Sequence, residues 1–238
     1  MKGLGPMLKD SSTPTDPRLG RIPRFDERSR QFSIRTLVED RPERSYTWSV
    51  GATLDQGQEG ACVGFGYTHE LIARPRVVPD LTNDFARNLY WDVQRIDPWP
   101  GGAYPGAEEF YEGTSVLDGA RWVKSLGYYD EYRWAFGEKD LALAVGYKGP
   151  AVIGINWYEG MFSPDGSGLL HVSGNVAGGH CLLVRSISVR RGVYMLHNSW
   201  GPSWGVGGDA YVTREDMARL LHEDGDACVP VVRTKKLA

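Results

Sequence analysis

The chain has 238 residues, 41% of them hydrophobic and 24% charged, with a net charge of -3. That length and composition suit one large globular unit or two small lobes sharing an interface. The charge argues against nucleic acid as the main partner, and no apolar stretch approaches the ~20 residues needed to span a bilayer.

Residues 1–45 hold ten Lys/Arg against seven Asp/Glu, an excess of three positive charges on a body that carries -6. The start, MKGLGPMLKDSSTPTDP, has no apolar h-region of a secretory signal. Rich in Pro, Arg, Asp and Ser, the segment reads as an extended arm that cannot build its own core. Ile22, Phe25, Phe32 and Ile34 are its expected anchoring points. From Tyr46 the character changes, and residues 46–136 are expected to form a helical left lobe. A Gly-punctuated loop leads into a helix-like run at Cys62. Phe85, Leu89, Val93 and Ile96 recur at helical spacing and predict a helix over Asp84–Ile96. Another is predicted at Val116–Leu126, with Ser115 as N-cap and Gly127 as stop, and a short one at Lys139–Val145.

Residues 137–238 are expected to form a β-rich right lobe. The runs AVIGINW (151–157), HCLLVRSISV (180–189), GVYMLHNSW (192–200) and DAYVTR (209–214) are β-type. Thr213 is a candidate cap for a helix over Arg214–His222, followed by a last strand, CVPVV. Helices first and strands afterwards predict an α+β protein of two lobes, with the junction near Gly137 and a cleft between them.

Three segments carry candidate chemistry. Cys62 stands where a Gly-rich loop meets a helix, and unsatisfied N–H groups at a helix N-terminus favour a thiolate. Gly57 and Gly60 permit close approach of a bound backbone, and the Gln56 amide is a donor for an oxyanion. A lone cysteine is equally well a small buried hydrophobe. His180 opens an apolar strand after two glycines, a position from which it can polarise a thiol and later protonate a leaving amine. Asn198 precedes a turn containing Trp200 and Trp204; its amide oxygen can hold the imidazole while an indole excludes water. Each segment alone is also readable as ordinary core or turn. Cys181 and Cys228 read as packing residues, Cys181 facing away from the side of His180. No Cys/His cluster has metal-ligand spacing, and no cofactor motif occurs.

Together, Asp55-Gln56-Gly57-Gln58-Glu59-Gly60-Ala61-Cys62-Val63-Gly64-Phe65, Gly179-His180 and Asn198-Ser199-Trp200-Gly201-Pro202-Ser203-Trp204-Gly205 resemble, in order and separation, the active-site segments of papain-like cysteine peptidases. Glu59 stands where many relatives have a disulfide cysteine and Val63 where they have tryptophan. Fainter likeness runs over residues 20–215. The resemblance implies a papain-like two-lobe fold, a helical left lobe against a β-barrel-like right lobe. It implies catalytic roles for Cys62, His180, Asn198 and Gln56, and substrate contacts at Gly60, Gly113, Thr114, Ser115, Gly179 and Trp200. A peptide or protein is the implied substrate, and the basic arm is a candidate occupant of the cleft, as N-terminal segments are in many relatives. Glu108, Glu109 and Glu112 suggest either a taste for basic peptides or a solvated acidic loop. Three cysteines do not make a disulfide framework, which with the missing signal suits a reducing, cytoplasmic compartment. Two other functions remain open: a catalytically silent binding or assembly module, and an amidase acting on cell-wall peptides.

Overall fold

A computed structural model describes residues 16–39 and 41–231; the first fifteen residues of the arm therefore lie outside it. One helix organises the rest. Every residue of α2 (Cys62–Leu71) except Glu70 is buried, as befits a run apolar on all sides. It packs against α3 (Asn83–Gln94) and α4 (Val116–Ser125) on one side and against the sheet on the other. Thr82 caps α3 through the amide of Phe85, so the helix starts one residue before the predicted Asp84 and ends at Gln94. Ser115 caps α4, whose Val116, Leu117, Ala120 and Val123 form the buried stripe.

The strands are β1 (Tyr46–Thr47), β2 (Glu131–Trp134), β3 (Ala151–Tyr158), β4 (Val176–Ser188), β5 (Val193–His197), β6 (Asp209–Thr213) and β7 (Asp226–Val231). They form one antiparallel sheet in the order β2-β7-β3-β4-β5-β6, with β1 beside β4. The barrel-like expectation becomes an open sheet, because β2 and β6 are its ends and are not paired. Two of its strands, β1 and β2, precede Gly137 in the chain. The central strands are buried on both faces, which explains their near-continuous apolar sequences. Along β3 and β4, Ile153, Ile155, Trp157, Leu182 and Val184 point into one core, shared with Leu141 and Val145 of α5 (Glu138–Tyr147) and Met217 and Leu220 of α6 (Arg214–His222). Val152, Cys181 and Leu183 point the other way, toward α2 and α4. Alternation thus separates Cys181 from Leu182 and from the face of His180.

The register brings distant segments together. Ile155 lies opposite His180, and Leu183 opposite His197. Asn198, the next residue, is therefore level with Leu182 and shares its side with His180. The strand carrying His180 starts at Val176, four residues earlier than its apolar pattern, because Val176–Gly179 pair with β3 through main-chain atoms alone.

The described part of the arm is bound to the body. Arg24 pairs with Asp118, Arg121 with Asp26 at 2.9 Å and Arg35 with Asp140 at 2.8 Å. A short helix, α1 (Arg35–Val38), follows. Of the arm's expected apolar anchors, Ile34 is buried, whereas Phe25 and Phe32 are 58% and 45% exposed; Leu19 and Val38, not among those expected, are buried as well. No helix among the described residues is long and apolar enough to cross a membrane.

Candidate active site

The loop before α2 is set by polar bonds to the segment after β5. Gln56 N–H donates to Ser199 O at 2.9 Å, and Gly201 N–H donates to Leu54 O at 3.2 Å. The Ser199 hydroxyl donates to Gln56 Oε1 at 2.6 Å. That bond turns the other end of the amide outward, where Nε2 donates to Glu59 O at 2.7 Å and to Arg18 O at 2.9 Å. Cys62 begins α2, whose first turn has no side-chain cap.

His180 is fully buried on β4. Its Nε2 lies 2.7 Å from Asn198 Oδ1, which also accepts the Ser199 N–H at 2.8 Å. Because a main-chain donor already identifies that atom as oxygen, Nε2 must carry the proton, leaving the lone pair on Nδ1. Trp157 meets the ring edge-on at 4.8 Å, and Trp200 is tilted against it at 4.9 Å. Burial pulls the His180 pKa down to about 4, opposed by the bond to Asn198.

Residues 18–22 run through the space between these groups. Gly20 O accepts from Thr114 N–H, and Ile22 N–H donates to Thr114 O, both at 2.9 Å; Arg21 N–H donates to Gly179 O at 3.0 Å. Arg21 and Thr114 pair in parallel. This strap fits tightly: a Cβ on Gly20 would lie 1.9 Å from Gly60 O, and one on Gly113 would lie 2.3 Å from Gly20 O. No side chain fits between main chains so close. Leu19 enters the sheet core, and the Arg18 guanidinium lies 4.0 Å above the Trp200 ring, an attraction of roughly 0.5–2 kcal/mol.

The strap changes the thiol. Sequence position alone favours a thiolate, yet burial pushes the Cys62 pKa up to about 11, against the N–H groups of Gly20, Cys181 and Val63, which point at the sulfur and lower it. Taking a charge out of water outweighs a few oriented dipoles. His180 Nδ1 has no hydrogen-bond partner among the described residues, so no hydrogen bond joins the thiol to the imidazole.

Of the expected substrate contacts, Gly60, Gly113, Thr114, Gly179 and Trp200 all touch the strap. Ser115 does not. Its hydroxyl is buried in the α4 cap, accepting from Asp118 N–H at 3.0 Å and donating its proton to Asp118 Oδ2 at 2.5 Å. Glu112 is also structural, accepting from Gly60 N–H at 2.9 Å and from the Tyr90 hydroxyl at 3.1 Å.

Several supporting residues had no sequence signal. Gln94 donates to Gly113 O at 2.9 Å, and Asp97 accepts from the Thr114 hydroxyl at 2.7 Å; together they shape the Thr114 edge. His69 Nε2 accepts the Leu54 N–H at 3.0 Å and packs edge-on against His197, which bonds Asp209 at 2.7 Å. This pair ties the loop of Gln56 to β5, the strand that precedes Asn198. Trp157, the indole nearest His180, reads from sequence only as a core residue.

No family model matches the sequence, and no curated protein does. Solved structures do. Xylellain, a cysteine protease from Xylella fastidiosa, superposes with a TM-score of 0.68 at 15% identity, covering 94% of this chain and 100% of that one. Digestive procathepsin L 3 of Tenebrio molitor larval midgut gives 0.60 at 19% identity, over 91% of this chain and 75% of that one. The Amb a 11 cysteine protease of ragweed pollen, in its proform, gives 0.59 at 15% identity, over 95% and 71%. At these identities the likeness is one of fold: the chain has the papain-like fold.

Proposed function

We propose that this protein is a cysteine peptidase held in a closed form by its own residues 18–22. One observation carries the reading: Gln56 Nε2 donates to a peptide carbonyl, that of Arg18, in an extended segment whose Gly20 N–H points at the Cys62 sulfur and whose Arg21 N–H is bonded to Gly179, the residue before His180. The cleft thus holds an extended peptide, and its donor is already bonded to a peptide oxygen. The fold shared with cysteine proteases supports the same reading.

In the proposed reaction the strap leaves and water reaches the site, removing the desolvation that holds the thiol neutral. The Cys62 proton passes to His180 Nδ1, and the sulfur attacks the substrate carbonyl carbon. The resulting oxyanion takes hydrogen bonds from Gln56 Nε2 and the Cys62 N–H. His180 returns the proton to the departing nitrogen as the C–N bond breaks, leaving an S-acyl enzyme. A water, deprotonated by the same ring, then releases the acid and regenerates the thiol. Asn198 keeps the ring in the tautomer that exposes Nδ1. Three free, buried cysteines suit a reducing, cytoplasmic setting.

The test is hydrolysis of an unfolded protein substrate by full-length Gly20→Ala, the change that least tolerates the strap's position. Cleavage that disappears in the Gly20→Ala/Cys62→Ala double variant is expected. A folded Gly20→Ala protein that cleaves nothing would favour the silent binding module.

A further inference from the structure

Arg21 sends its side chain sideways from the strap into a pocket between β3 and the turn before β7. The guanidinium is fully buried and lies 3.5 Å from the equally enclosed carboxylate of Asp226, and its Nη2 donates to Asp224 O. Two glycines make the space. A Cβ on Gly154 would lie 2.3 Å from Asp226 Oδ1 and 2.7 Å from Arg21 Nε; one on Gly179 would lie 2.1 Å from Arg21 O. Val116 closes the side next to Gly154.

We propose that this is a specificity pocket for arginine, so that the peptides this protein accepts carry arginine at the residue entering it. The inference rests on the peptidase reading and adds to it the substrate class. Three observations carry it. The main chain of Arg21 is bonded to Gly179, and its neighbours Gly20 and Ile22 to Thr114, so the pocket opens beside the edge that holds an extended backbone. Second, the occupant is held loosely for a structural ion pair. At 3.5 Å the contact is not a bidentate fork, and Arg21 Nε and Nη1 have no hydrogen-bond partner among the described residues. Third, departure of the strap would leave Asp226 enclosed with no counter-charge, a state proteins avoid. A substrate guanidinium restores the pairing. Lysine fits less well, because one ammonium cannot reach the Asp224 carbonyl and the Asp226 carboxylate with a planar set of donors. The -6 body also draws cationic peptides toward the cleft.

The test separates recognition from catalysis by measuring binding. Full-length Gly20→Ala/Cys62→Ala is titrated with fluorescent extended peptides in which one arginine is moved through each position, then replaced by lysine, leucine, glutamate or citrulline. The expected result is one position at which arginine binds at least tenfold more tightly than leucine. Citrulline, of the same shape without the charge, should lose that factor, and Asp226→Asn should bring arginine and leucine to within about threefold. Equal binding of arginine and citrulline, a preference that survives Asp226→Asn, or no binding of any peptide would overturn the proposal. The citrulline comparison holds even where Asp226→Asn fails to fold. Arginine-selective binding without turnover by Gly20→Ala would retain the pocket and discard the peptidase.

Discussion

His180 is held by bonds within the body of the protein, whereas Cys62 has the strap's Gly20 N–H against it beside those of Cys181 and Val63. The ring has Asn198, Ser199, Trp157 and Trp200 around it, all in β3 or the segment after β5. The sulfur has the Gly20 N–H against it and no bond to the ring. On the proposed reading, one half of the site is complete as built, and the other waits for a segment of chain to move. Burial is the largest influence on both groups, pushing the thiol pKa up to about 11 and the imidazole pKa down to about 4.

Substitutions can break this contrast, and each is best made in the Gly20→Ala background, where the strap is displaced. Cys62→Ala is expected to remove all turnover. His180→Ala should cost at least the ~10²–10⁴-fold supplied by general acid–base catalysis, and Asn198→Ala clearly less, since it only orients the ring. Equal losses at His180 and Asn198 in a steady-state assay would contradict the orienting role. Gln56→Ala should lower kcat by about 10²–10³ with little change in KM, as expected of an oxyanion donor. A change in KM alone would make it a ground-state contact.

The pH response sharpens the contrast further. With the strap in place His180 holds its neutral form to about pH 4, below the ordinary histidine value of ~6.5. An opened or unfolded chain binds that proton and the closed one does not, so through this group stability falls as pH drops from about 6.5 toward 4. Asp97 and Glu112, shifted upward by burial, bind protons in the closed form and act in the opposite sense. The readout must therefore be the His180 ring itself. Its NMR titration midpoint should rise by more than one pH unit on passing from the parent to Gly20→Ala. The smallest effect is expected at the α4 cap, where Ser115→Ala should cost about 0.5–2 kcal/mol in denaturant unfolding. The turnover of the folded protein should stay the same; a loss of turnover would return Ser115 to the cleft.

The parts legible in the sequence were those that repeat a local rule. Ser115 and Thr213 cap helices because a hydroxyl before an apolar periodic run has few other uses. The apolar runs of β3 and β4 announced central strands. The arm's anchors were legible only in part: Ile34 was expected and is buried, but Phe25 and Phe32, the larger apolar residues, stay exposed while Leu19 faces the core, and only tertiary position decides that. What encloses the thiol was not legible for a related reason. A helix N-terminus is visible in sequence, while the segment that seals it lies some forty residues away along the chain. Asp226 gave no signal at all, since one acid at the start of a strand is ordinary until a distant arginine is found against it.

The most direct measurement is alkylation by an epoxide-type cysteine-directed electrophile at pH 7, followed by mass spectrometry, comparing the parent chain with full-length Gly20→Ala. The parent should remain unlabelled, and the variant should take up one equivalent, located on Cys62. Equal labelling of the two proteins, or none on a folded variant, would contradict the view that residues 18–22 keep a competent nucleophile closed.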